Sequence, residues 1–138
     1  MPQTKGCDDR SKHVLLVDDD EMLLDACQEM LQAHNLQVSI ATSGAAALKL
    51  IISQDVDAIV CDWLMPMMAG DMFYQAVQKI KPLLCQRFIF MTGYEGHPQI
   101  QEFLLKNKLV VLYKPVTIGK LLGTLNLAFN RGSVKGNS

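Results

Sequence analysis

The sequence predicts an α/β domain: a doubly wound sheet of five parallel strands with helices on both faces. Three observations carry that prediction. Short apolar runs alternate five times with longer stretches whose apolar residues recur at helical spacing. The runs from His13 to Val17 and from Ala58 to Cys61 are continuously apolar rather than alternating, as expected of central parallel strands covered on both sides. Each connection between runs can hold a helix, and such crossovers are right-handed, which places helices on both faces of one sheet.

Taken in order, strand one (His13 to Val17) ends in four consecutive acids, Asp18, Asp19, Asp20 and Glu21. A helix follows, and Asp20 and Glu21 suit its first turn because they complement the positive end of the helix dipole. Its buried stripe is read as Leu23, Cys27, Met30, Leu31 and His34, with Asn35 as the stop. Leu36 to Ala41 alternates as strand two. Ser43 caps helix two, whose apolar positions are Ala45, Ala46, Leu48, Ile51 and Ile52. Strand three, Ala58 to Cys61, delivers Asp62 to a loop broken by Pro66 and Gly70. Helix three carries Phe73, Ala76, Val77 and Ile80 and is ended by Pro82. Strand four, Arg87 to Met91, closes on Thr92-Gly93. Gly96 and Pro98 introduce helix four, with Ile100, Phe103 and Leu104 on its inner side. Strand five, Leu109 to Tyr113, ends in Lys114-Pro115. Thr117 caps a last helix with a stripe of Ile118, Leu121, Leu122, Leu125 and Phe129; Gly119 and Gly123 weaken it by about 1 kcal/mol each.

Composition narrows the class. The 138 residues suffice for one domain, with 49% hydrophobic and 20% charged residues. A net charge of −1 provides no field that favours nucleic acid or an anionic membrane. No apolar stretch approaches the roughly 20 residues of a membrane-spanning helix, and Met1 to Lys12 lacks a signal-peptide core. Cys7, Cys27, Cys61 and Cys85 form no metal or redox motif and read as free thiols of a cytoplasmic protein, Cys27 and Cys61 in the core. The expected organisation is a flexible tail over residues 1–12, one domain over 13–130 and a second flexible tail over 131–138.

In doubly wound sheets the functional crevice lies outside the carboxyl ends of the strands. The residues there are Asp18 and Asp19, Thr42 and Ser43, Asp62, Thr92 and Lys114. Three carboxylates on one rim repel one another, and a divalent cation removes that penalty. Oxygen donors without His or Cys favour a hard ion such as Mg²⁺. A lysine and a hydroxyl beside such an ion suit a phosphoryl group, and Asp62 is then the natural nucleophile. The bland readings apply elsewhere. Asp55 and Asp57 read as solvated acids, and His13, His34 and His97 as dispersed residues rather than ligands. Most methionines are core fill, Trp63 is a partly exposed lid, and Leu127 is a hint of a partner surface.

Val17-Asp18-Asp19, the run Asp62-x-x-Met65-Pro66-x-Met68-x-Gly70, Thr92-Gly93 and Lys114-Pro115, in that order and each at a strand end, resemble a receiver domain of two-component signalling over residues 13 to 130. The resemblance implies the flavodoxin-like strand order 2-1-3-4-5. It implies that Asp62 accepts a phosphoryl group from a histidine kinase, a phosphotransfer domain or a small phosphodonor. Asp19 would bind Mg²⁺ directly, Asp18 mainly through water, and the backbone carbonyl of Leu64 would complete the protein ligands. Lys114 would contact a phosphate oxygen, the bond to Pro115 would be cis, and Thr92 would swing toward the phosphate. Phosphorylation would then shift the surface of strand four, helix four, strand five and helix five, which controls a protein partner or a homodimer contact.

The chain departs from the family at Val111, where an inward-turning aromatic is usual; Tyr113 lies two residues on. Lys106-Asn107-Lys108 replaces a small Gly-Ala turn, a wording that resembles receivers of hybrid histidine kinases. Leu64 and Tyr94 flank the path of a hydrolytic water and predict slow self-dephosphorylation. Two other functions compete. One is a Mg²⁺-dependent aspartyl-phosphate hydrolase of the haloacid-dehalogenase type, which generally carries an Asp where Leu64 stands. The other is a pseudo-receiver, against which the intact acidic set argues.

Overall fold

The computed structural model describes residues 11–93 and 97–131. The two expected tails, apart from Ser11, Lys12 and Arg131, lie outside these residues, as do Cys7, Tyr94 and Gly96. Five strands, β1 (His13–Val17), β2 (Gln37–Ala41), β3 (Ala58–Asp62), β4 (Phe88–Thr92) and β5 (Val110–Tyr113), form one sheet in the order β2-β1-β3-β4-β5. All four pairings are parallel. The predicted fold class and strand order are therefore those observed. The helices are α1 (Glu21–Gln32), α2 (Gly44–Ser53), α3 (Gly70–Ile80), α4 (Pro98–Lys106) and α5 (Ile118–Phe129).

The two faces of the sheet carry separate cores. Val14, Leu16, Val60, Ile89 and Leu112 point toward α1 and α5, where Leu24, Leu31, Leu121 and Leu125 cover them. Leu15, Val17, Ile59, Phe88 and Phe90 point the other way, under Ala47 and Ile51 of α2, Phe73 and Val77 of α3 and Ile100 and Leu104 of α4. Period-two alternation within each buried strand thus supplies both layers at once. The second layer is aromatic: Trp63, Phe73, Tyr74, Phe88, Phe90 and Phe103 lie within ring-contact distance of one another.

Several helix faces differ from the sequence reading. In α1 the buried residues are Leu24, Cys27 and Leu31, while Leu23 is half-buried, Met30 is 40% exposed and His34 lies beyond the helix end. The chain leaves α1 through Asn35 in the left-handed region, φ 67°. In α2, Gly44, Ala47 and Ile51 are buried and Ile52 is 69% exposed. That helix is apolar almost all round, so periodicity alone did not select a face. In α3, Tyr74 is buried where Ala76 and Ile80 were expected. Pro82 ends α3 but opens a 3₁₀ segment, Pro82–Arg87, that buries Leu84 and Cys85. Asp57 is not simply solvated, because its carboxylate accepts a hydrogen bond from the His13 amide at 2.7 Å. Lys12 belongs to the sheet edge, its carbonyl accepting from Gln37 at 2.9 Å, and the Arg131 carbonyl accepts from Arg87 at 3.1 Å.

Candidate functional site

The site is built from the carboxyl ends of β1, β3, β4 and β5. Asp18 follows β1, and its amide donates to the Ala41 carbonyl at 3.1 Å, which fixes it against the end of β2. Its side chain is buried. One carboxylate oxygen accepts from the Asp20 amide at 3.0 Å and the other accepts from Lys114 Nζ at 2.9 Å. Asp20 caps α1, its carboxylate accepting from the Leu23 amide at 3.2 Å. It is the helix cap rather than a first-turn acid; an Asp directly before a helical run is the sequence signal for that role. Asp19, between them, is exposed.

Asp62 is the last residue of β3, in register with Met91 of β4, and is 7% exposed. Lys114 Nζ stands 3.7 Å from its Oδ1. The loop beyond Asp62 is held by hydrogen bonds from the Gly70 amide to the Trp63 carbonyl at 2.7 Å and from the Met68 amide to the Pro66 carbonyl at 2.8 Å. Met67 at its tip is left-handed, φ 71°. Gly70 is required by close packing, because a Cβ there would lie 2.7 Å from Phe90 Cε1 and 3.0 Å from Trp63 Cα. Trp63 is 8% exposed and packs on Phe90 and Phe103, so it is a core residue and not a partly exposed lid.

Thr92 ends β4 and is wholly buried; its carbonyl accepts from the Lys114 amide at 2.8 Å, which draws Lys114 to the rim. The Lys114–Pro115 peptide is cis. Val111 pairs with Phe90 across β4 and β5 and joins the aromatic layer rather than the rim.

The electrostatics follow from this crowding. Burial first, and then the charge of Asp18, push the Asp62 carboxyl up to about 6, although Lys114 pulls the other way. Burial opposes the charge of Lys114, but its hydrogen bond to Asp18 and the negative charges of Asp62 and Asp18 outweigh it, so its pKa is raised. Cys61, directly beneath, is driven far above the ordinary thiol range by burial and by both carboxylates, and so supplies no thiolate ligand.

Asp18, Asp19 and Asp62 each offer an oxygen within 4.8 Å of the others. An all-oxygen set with excess negative charge fits a hard divalent cation. Both Asp18 oxygens are already engaged, which leaves Asp19 and Asp62 as the donors best able to reach such an ion directly. Of the sequence-predicted residues, the rim therefore gathers Asp18, Asp19, Asp62, Thr92 and Lys114, with Leu64 in the adjoining loop. The positioning roles of Asp20 and Gly70 went unseen, and only the Asp20 cap had a readable signal.

Comparison with known proteins agrees with this arrangement. Residues 14–126 match the model of the response regulator receiver domain. Response regulator SaeR of Staphylococcus epidermidis is 38% identical over 82 residues, 59% of this chain and 34% of that protein; SaeR of Staphylococcus aureus is 36% identical over the same length. The chain thus spans about a third of the length of these curated relatives. Among solved structures, a CheY-like receiver domain protein of Methanospirillum hungatei superposes with a TM-score of 0.79 at 26% identity, covering 86% of this chain and 94% of that one. Chemotaxis response regulator CheY4 of Vibrio cholerae gives 0.76 at 27% identity, covering 86% and 98%. The sheet order, the acidic rim and the family match agree on one class, the receiver domains of two-component systems. This chain belongs to the response regulator receiver domain family.

Proposed function

We propose that the domain is a phosphoacceptor switch in which Asp62 takes a phosphoryl group from a histidine kinase or phosphotransfer domain and so controls a protein partner. The observation that carries this reading is the convergence of Asp62, Asp18, Asp19 and Lys114 on one rim, with Lys114 bridging two of the carboxylates. Asp62, exposed enough to be reached and relieved of its proton near neutral pH, attacks phosphorus; the O–P bond forms as the donor's P–N bond breaks. Lys114 would pass from carboxylate to phosphoryl oxygen, and Thr92, at the end of β4, would close on the same group. Asp19 and Asp62 would hold Mg²⁺ directly, Asp18 through water and the Leu64 carbonyl as a further ligand. When bound, that ion supplies neutralising charge to the phosphoryl oxygens.

Incubation with acetyl phosphate and Mg²⁺ tests the reading, with the phosphorylated form resolved on a phosphate-affinity gel. Stoichiometric, alkali-labile phosphorylation that is lost in Asp62→Asn supports it. Continuous turnover of a phosphate ester would favour a hydrolase instead, a reading that Leu64 disfavours because it supplies no second acid. Output would run through protein contact; Leu105 on α4 and Leu127 on α5, 80% and 71% exposed, offer apolar anchors for a partner or a second copy.

A further inference from the structure

A phosphoacceptor must make its state known at a distance. At position 111 this chain has a valine already packed into the aromatic layer, so that side chain has no inward swing to perform. Another route begins one residue after the acceptor. Trp63 follows Asp62 directly, and its carbonyl accepts from the Gly70 amide at 2.7 Å, which ties the backbone beside the acceptor to the start of α3. A group added to the Asp62 carboxylate crowds this backbone, and the indole is the side chain through which a shift would pass sideways.

On one side the indole meets Phe90, 5.0 Å between ring centres, on a central strand and with no exposure. On the other it meets the edge of Phe103 of α4 at 5.3 Å and 72°. Phe90 is held between paired strands and does not yield. Phe103 is only partly buried and borders an open groove of about 600 Å³, lined also by Trp63, Leu64, Ile100 and Lys106. α4 itself is nine residues long, and among the described residues it is the helix whose backbone lies least closely against any other element. The rigid neighbour and the yielding one give the movement a direction.

We propose that the edge-to-face contact of Trp63 with Phe103 transmits the state of Asp62 to α4, so that the switch reaches its output surface through helix four without an aromatic at position 111. This rests on the phosphoacceptor reading. A coupling of this kind is a difference in α4 stability between the two states of the acceptor, and each state biases the other reciprocally.

The test uses the full chain with Mg²⁺ and beryllofluoride, a stable phosphoryl mimic. Binding is followed by calorimetry and α4 by hydrogen exchange of its amides. In the parent, beryllofluoride should change α4 exchange several-fold. In Phe103→Leu that change should shrink by about threefold or more while beryllofluoride affinity stays within about threefold. Trp63→Phe, which keeps the packing on Phe90 but shortens the reach to Phe103, should do the same and serves if Phe103→Leu folds poorly. An undiminished α4 response in a variant that binds beryllofluoride overturns the link, as does a parent that binds it with no response in α4. Failure of the parent to bind at all overturns the phosphoacceptor reading first and the link with it.

Discussion

Asp62 sits where burial and the Asp18 charge hold its pKa near 6, above the ordinary carboxylate range. A raised acid pKa means the folded state binds the proton more tightly than the unfolded chain does. The metal-free domain therefore loses stability as pH rises from about 4 to about 6. Asp62→Asn should remove that loss. In EDTA at pH 7.5 the variant should be more stable than the parent by about 1 kcal/mol, once solvent screening is allowed for. The difference should vanish near pH 4, and thermal unfolding at the two pH values checks it. The same competition should weaken Mg²⁺ binding by about tenfold for each pH unit below 6. Lys114 is the converse case, because its loss leaves the buried Asp18 carboxylate without its cation. Lys114→Ala should cost about 2 kcal/mol in EDTA and less in saturating Mg²⁺, read by denaturant unfolding. An equal loss in both conditions would show that Lys114 does not serve the acidic cluster. At this scale the sequence was highly legible, because acids and a lysine at strand ends declare themselves by type and place. Asp20 shows the limit: one of four adjacent acids is a helix cap, and naming it requires the first residue of α1 to be fixed to within one position.

The loop from Asp62 to Gly70 is the element on which the site depends most. Gly70→Ala puts a methyl group against Phe90 and the Trp63 backbone. It should destabilise the domain by roughly 1 to 3 kcal/mol and weaken beryllofluoride binding as the loop is displaced, which unfolding and titration of one variant measure together. Leu64, half-exposed two residues after Asp62, has an apolar side chain that offers no hydrogen bond to a hydrolytic water. Leu64→Asn should shorten the lifetime of the phosphorylated form, followed by loss of the shifted band after donor removal; an unchanged lifetime would mean that hydrolysis is limited elsewhere. The strands were legible to within a residue or two because parallel strands buried on both faces are unbroken apolar runs. The helix faces were less so. α2 is apolar nearly all round, and in α1 both Leu23 and Leu24 satisfy the period, so only the packed sheet decides that Leu24 is the buried one. The 3₁₀ segment after Pro82 had no periodic signal at all, being shorter than two helical turns.

For the whole molecule, two unequal layers share one sheet. α1 and α5 close one side, while on the other α4 is the lightly held member of a layer of three helices. Native-state hydrogen exchange should therefore be slowest in β1 and β3, whose residues are almost entirely buried, and fastest among the helices in α4. Such a gradient places the adaptable part of the fold beside the aromatic layer and the invariant part beneath the carboxylates.

Cys27, Cys61 and Cys85 are buried free thiols whose pKa values burial raises, that of Cys85 to about 11. Since the thiolate is the reactive form, all three are chemically silent in the folded domain. Cys61, in the centre of the sheet and without exposure, is reached by alkylating reagents and mild oxidants only through complete loss of the fold. The domain thus carries its own labelling clock: the rate at which Cys61 is trapped measures how often the entire receiver fold comes apart, whatever the state of its outer helices.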